Sequence, residues 1–164
     1  MKIAVAHQLP SSRILDSYSS SSLEGINELA RGELRRSRML ATWQRRNQTT
    51  DEVLDVYRQH KNPNWDGCGA EPISEGACYE AIVFLKKLPS SVPMPEILAE
   101  PDGYIGLEWY VTKWQLFVIS FSGKGIISYS GLFGQDSKSH GTEPITDSIS
   151  PFILSNILRA LPAE

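Results

Sequence analysis

Asn62-Pro63-Asn64-Trp65-Asp66-Gly67-Cys68-Gly69-Ala70-Glu71-Pro72-Ile73-Ser74 joins the two halves of the chain, and its chemistry sets how they meet. Pro63 and Pro72 fix φ at about −65°, while Gly67 and Gly69 open backbone regions closed to residues with a side chain. The stretch therefore reads as a rigid, shaped loop rather than a linker. Trp65 is its large apolar anchor, and Asp66 is placed to cap neighbouring backbone N–H groups. Ser74 is the expected N-cap of a following helix.

The loop sits in a chain of 164 residues, the size of one domain with an appendage. Sixteen Lys and Arg against nineteen Asp and Glu leave a net charge of −3, which argues against a whole-protein nucleic-acid binder or a polybasic membrane protein. Cys68 and Cys78 match no metal or redox spacing, so a reducing cytoplasm is the expected location. The run Ile3–Ala6 is too short for a signal peptide. No stretch approaches the ~20 apolar residues of a spanning helix, so no membrane association is expected.

Before the loop, the pattern is helical. Residues 1–22 are serine-rich around Tyr18 and read as a flexible lead-in. From Leu23 to Arg46, the residues Leu23, Ile26, Leu29, Ala30, Leu34, Met39, Leu40 and Trp43 recur at spacings near three and four, and the opposite face is basic. Six arginines meet three glutamates there, a local balance of +3, whereas from residue 47 onward eight basic residues meet fifteen acidic ones, giving −7. Such a face can be solvated, paired within the protein, laid on a partner or placed on nucleic acid, with Arg31, Arg35, Arg38 and Arg45 the contacting residues. Asn47–Thr50 reads as an interruption, with Thr49 and Glu52 forming a capping box for a second helix that ends before Pro63. The expected organisation is a lead-in (1–22), a helical arm (23–61) and an α+β domain (62–164).

After the loop, Glu75–Leu88 reads as a helix with a Cys78, Ala81, Ile82, Leu85, Leu88 stripe, ended by Pro89, Pro93 and Pro95 in an extended passage. The period then becomes two. Tyr104–Val111 alternates, Leu116–Phe121 is apolar on both faces and so central, and Ser122–Gly125 is a hairpin loop leading into Ile126–Ser130. Residues 131–147 read as a long loop or irregular edge with room for a short fourth strand. Ser150-Pro151 opens a C-terminal amphipathic helix. The fold class is α+β, an antiparallel meander of three to four strands with helices on one face.

The candidates for chemistry are Asp66, Glu71, Asp102, Glu108 and His140, carboxylates and an imidazole suited to proton transfer or metal ligation. None stands at a diagnostic spacing. Asp66 and Asp102 fit turn-capping positions. Cys68, between two glycines, lies where loop N–H groups can form an anion nest that lowers a thiol pKa. His7, His60 and His140 are not tied to it by spacing. Gly123-Lys124-Gly125 and Gly131–Gly134 lack the strand-to-helix context of a phosphate loop. Of the aromatic residues Trp65, Tyr104, Trp109, Tyr110, Trp114, Phe117 and Tyr129, only those left exposed qualify as interface anchors.

The run Asn64-Trp65-Asp66-Gly67-Cys68-Gly69-Ala70-Glu71-Pro72-Ile73, followed by a helix and then Gly106-Leu107-Glu108-Trp109 in a strand, resembles a family of small bacterial proteins with an NWDGxGAxPI loop and an LEW strand. The resemblance covers residues 62–161. Position 68 is aromatic in that family, so Cys68 departs from it, and no shared role for this side chain follows. The resemblance implies a common fold and an accessory protein of mobile or defence-related loci, including toxin–antitoxin partners. It carries over no catalytic residue.

The favoured reading is a non-enzymatic, antitoxin-like or regulatory protein-interaction module without metal or cofactor. Its arm engages a protein partner through Arg31, Arg35, Arg38 and Arg45, with Trp65 as an anchor. Asn64, Trp65, Asp66, Gly67, Gly69 and Pro72 give the loop its shape. A homo-oligomer is compatible with this. The alternatives are a metal- or thiol-dependent hydrolase using Asp66, Cys68 and Glu71, and nucleic-acid binding through the arginines.

Overall fold

A computed structural model describes residues 15–162, with side chains from Glu24 onward. Its elements are helix α1 (Leu15–His60), helix α2 (Glu75–Lys87), strands β1 (Glu96–Ala99), β2 (Ile105–Thr112), β3 (Gln115–Phe121), β4 (Ile126–Phe133) and β5 (Lys138–Pro144), and helix α3 (Pro151–Ala160). The strands form one antiparallel sheet in the order β1-β2-β3-β4-β5. No helix among the described residues is long and apolar enough to cross a membrane.

The period-two pattern explains the sheet. Ile105, Leu107 and Trp109 of β2, Phe117, Ile119 and Phe121 of β3 and Ile127 of β4 are buried on one face. Register aligns them, with Leu107 opposite Ile119 and Ile119 opposite Tyr129. Two helices cover this face, α2 with Ala77, Cys78, Ala81, Phe84 and Leu85 and α3 with Ile153, Asn156, Ile157 and Ala160. Edge-on ring contacts join the layers, Phe84 to Phe121 at 5.3 Å and Phe152 to Tyr129 at 5.6 Å between centroids.

The starts of α2 and α3 are where the sequence puts them. Ser74 Oγ accepts from Ala77 N at 3.0 Å, and Ser150 Oγ accepts from Ile153 N at 3.2 Å, with Pro151 in the first turn. Glu80 of α2 then holds the β3–β4 hairpin, its two oxygens accepting from Gly123 N at 2.8 Å and Gly125 N at 2.7 Å.

The chain divides into two compact units, Met1–Ala41 and Thr42–Glu164. In the second, the end of α1 belongs to the core: Val53 is fully buried and Leu54, Val56 and Tyr57 pack against the same cluster. Arg46 donates to Lys86 O at 3.3 Å and Leu88 O at 2.7 Å, a cation on the carboxyl end of α2. In the first unit, the described side chains from Glu24 to Leu40 are all exposed.

Four expectations need correction. First, the helix is continuous through Asn47–Thr50. Thr49 does not cap a second helix; Thr49 and Thr50 turn their hydroxyls back to Arg45 O at 3.0 Å and Arg46 O at 2.9 Å, the mid-helix use of threonine. Second, α1 begins at Leu15, inside the expected 1–22 lead-in, the rest of which lies outside the described residues. Third, the folded body starts at Thr42 and not at residue 62, because the residues around Val53 are needed to close its core. Fourth, there are five strands, not three or four. The edges are β1 and β5: β5 (Lys138–Pro144) lies where residues 131–147 left room for a fourth strand, and the unexpected one is β1, only four residues long after Pro95.

Candidate functional site

The central loop is organised by its own side chains. Asn64 adopts a left-handed backbone at φ 59°, a conformation asparagine tolerates better than most residues. Its backbone N–H donates to Ala70 O at 2.7 Å, its carbonyl accepts from Gly67 N at 3.0 Å, and its Oδ1 accepts from Gly69 N at 2.8 Å. Asp66 Oδ1 accepts from Cys68 N at 2.8 Å and Ala70 N at 3.0 Å. These donors, Cys68 N first, hold the Asp66 carboxyl below its usual range, so it stays ionised.

Trp65 staples the loop to the end of α1. Its indole N–H donates to Glu71 O at 2.9 Å, and its ring meets His60 edge-on at 4.5 Å. His60 in turn holds Val56 O at 2.7 Å through Nδ1, and its carbonyl accepts from Ile73 N at 2.9 Å. Across the loop, Glu71 N donates to Pro101 O at 2.8 Å. Gly103, at φ 83°, comes so close that an added Cβ would lie 2.8 Å from Pro72 O.

This geometry overturns one expectation. The N–H groups of Cys68, Gly69 and Ala70 form no open anion nest, because Asp66 and Asn64 of the same loop already occupy them. Asp66 is the turn cap, Glu71 and Cys68 are exposed, and no group of three His, Cys, Asp or Glu suited to a metal occurs among the described residues.

The other candidates are dispersed. Asp102 lies in the turn before β2, Glu108 on the helix-free face of β2, and His140 exposed on the edge strand β5. His7 is outside the described residues. The helix-free face instead gathers three carboxylates at its β1–β2 end, two of which, Glu96 and Glu100, sequence reasoning missed. Glu96 pairs in register with Glu108. Partial burial, then the Glu96 charge, pushes the Glu108 carboxyl up. Glu100 lies over Gly106 and accepts from Ser120 Oγ at 2.7 Å; burial raises its pKa most, Ser120 opposes this, and Asp102 adds to it. The alternation Glu96, Leu98, Glu100 after Pro95 was the available signal.

Of the predicted interaction residues, Arg31, Arg35 and Arg38 fall in the first unit and Arg45 in the second, all exposed. Arg45 lines a groove of about 200 Å³ with Thr42, Ser90, Ser91, Val92, Pro93 and Met94. Trp109 and Phe117 are core, with the Trp109 indole donating to Pro93 O at 2.8 Å. The exposed aromatic residues include Trp43, Tyr79, Tyr110 and Trp114. The cavity lined by Phe84, Ile127, Ile145 and Ile153, among others, has about 30 Å³, room for a water and not for a substrate.

No family model matches the chain, and no curated protein or solved structure is significantly similar to it.

Proposed function

We propose that the chain is a non-enzymatic protein-interaction module in which the helix of the first unit is the recognition surface and Thr42–Glu164 is the folded body. One observation carries this reading: in the first unit Ile26, Leu29, Leu34, Met39 and Leu40 are 52–73% exposed on a helix segment that also bears four arginines, Arg31, Arg35, Arg36 and Arg38. A helix in water draws most of its stability from packing an apolar face, and large apolar side chains left bare in this number mark a surface made for a partner. The central loop supports the reading from the other side, since its Asn64 and Asp66 side chains are spent on its own backbone. An antitoxin-like or regulatory role in a defence or mobile-element locus follows from the loop resemblance and fits a helix whose ordering is coupled to binding.

The test compares the full chain with one lacking residues 1–41, which the division of the chain leaves outside the body. Proteins co-purifying with each are quantified by mass spectrometry, and the melting transition of the body is followed in parallel. The expected result is an intact transition with capture abolished. Equal capture by both chains refutes the proposal.

A further inference from the structure

Along α1, Ile26, Leu29, Glu33, Arg36, Leu40 and Trp43 follow each other in alternating steps of three and four. That is the a/d seam of a two-helix coiled pair. All six are exposed, the four apolar ones at 61, 73, 53 and 62%. Apolar positions fill the two ends of the seam, and a glutamate and an arginine fill its middle.

This order is self-complementary in one direction. In an antiparallel pair of identical helices centred between Leu34 and Arg35, Ile26 meets Trp43, Leu29 meets Leu40, and Glu33 meets Arg36 of the other copy. In a parallel pair Glu33 would face Glu33 and Arg36 would face Arg36, so the central layers select the antiparallel arrangement. Charge along the whole segment agrees in balance: residues 24–34 carry Glu24, Glu28 and Glu33 against Arg31, residues 35–46 carry Arg35, Arg36, Arg38, Arg45 and Arg46 with no acid, and antiparallel pairing lays the net-acidic half of one copy on the basic half of the other. Independently, Gly25 and Gly32 recur seven residues apart beside the seam, and a Cβ on either would meet nothing within 4 Å. Glycine is unfavourable inside a helix, and nothing in the described chain requires it at these two places; close approach of another backbone is one use of the space it leaves.

We infer that a second copy of this chain covers the face: two α1 segments pair antiparallel along Ile26–Trp43 about a two-fold axis, with Glu33 of each copy facing Arg36 of the other. This rests on the reading of the first-unit helix as a partner surface and names the partner.

The experiment is sedimentation velocity on the full chain over roughly two decades of concentration. The wild type is expected to move from monomer to dimer. Leu29→Asp removes an apolar layer and abolishes the dimer. Glu33→Arg and Arg36→Glu each create like-charge layers and weaken association at least about tenfold, whereas a mixture of those two single variants forms a heterodimer. The double variant Glu33→Arg/Arg36→Glu associates with itself again but not with wild type, because antiparallel mixing puts like charges in both central layers. A parallel pair would show the reverse preference. A monomeric wild type at every concentration, charge variants indistinguishable from wild type, or a wild-type–double-variant heterodimer overturns self-pairing. If the wild type is monomeric and capture still requires residues 1–41, self-pairing alone falls; if removing those residues changes neither association nor capture, both readings fall.

Discussion

Two glycines two residues apart, Gly123 and Gly125, offer a controlled measure of how tightly α2 grips the β3–β4 hairpin. Both have a left-handed backbone, at φ 79° and 77°, so replacing either by alanine incurs the same conformational cost of about 1–2 kcal/mol. Their surroundings differ. A Cβ on Gly125 would meet nothing within 4 Å, whereas one on Gly123 would lie 2.7 Å from Ala77 N and 2.8 Å from Ser74 Oγ. To relieve that overlap the hairpin must retreat from the start of α2. Retreat disturbs the Ser74 cap, worth about 1 kcal/mol, and lengthens the bonds from Gly123 N and Gly125 N to the Glu80 carboxylate, each worth about 1.5–3 kcal/mol when intact. With partial loss of these, Gly123→Ala is expected to cost about 3–5 kcal/mol and Gly125→Ala about 1–2. Urea unfolding of both full-length variants, followed by tryptophan fluorescence and helical circular dichroism, gives the difference directly. Equal losses would refute the argument that contact with α2, rather than backbone angle, fixes position 123.

Four further outcomes are expected. Arg46→Ala should destabilise the body by about 1–3 kcal/mol in the same assay, since it strips two hydrogen bonds from the carboxyl end of α2; an unchanged midpoint would mean the cap is ornamental. Trp65→Phe keeps an aromatic edge for His60 but loses the bond to Glu71 O, a cost of about 1 kcal/mol, while Trp65→Ala should cost more. Glu100→Gln should raise the unfolding midpoint at neutral pH. Burial raises the folded-state pKa of Glu100 above its ordinary 4.5, so the native glutamate's relative stability is fully present below that value and is lost as pH rises through the folded value. The advantage of glutamine should therefore fade on acidification toward pH 4.5 and below; an advantage independent of pH would disprove the burial argument. Finally, a thiol reagent should modify Cys68 in the native protein and reach Cys78 only after unfolding, because Cys68 is exposed and burial, then the Glu75 charge, pushes the Cys78 thiol up.

What could be read from the sequence follows from where side chains carry local information. Ser74, Ser150 and Pro151 announce helix starts because a cap needs only its own next turn. The β2 strand shows itself through apolar alternation, β3 through a run apolar on both faces, and Asp66 through its proximity to the N–H groups it holds. The misses need information from elsewhere in the chain. Thr49 and Glu52 satisfy the letter of a capping box, but packing around Val53 carries the helix straight through them. Strand β5 is readable only as room for a short strand within residues 131–147, because it is specified by the β4 backbone it joins, with Gly141 accommodating the Tyr129 ring, and has no apolar period of its own. The carboxylates of the helix-free face come together by register between β1 and β2, which no single segment encodes.

Because each strand hydrogen-bonds to the strand next to it in the chain, most of the sheet can form by successive hairpin closures over short loops. Low contact order of this kind favours rapid folding with small loop-closure entropy. The covering helices are the exception. Gly125 N reaches Glu80 Oε1 across 45 residues and Gln115 Nε2 reaches Leu161 O at 2.9 Å across 46, so burial of the sheet's apolar side is completed only once α2 and α3 have both docked.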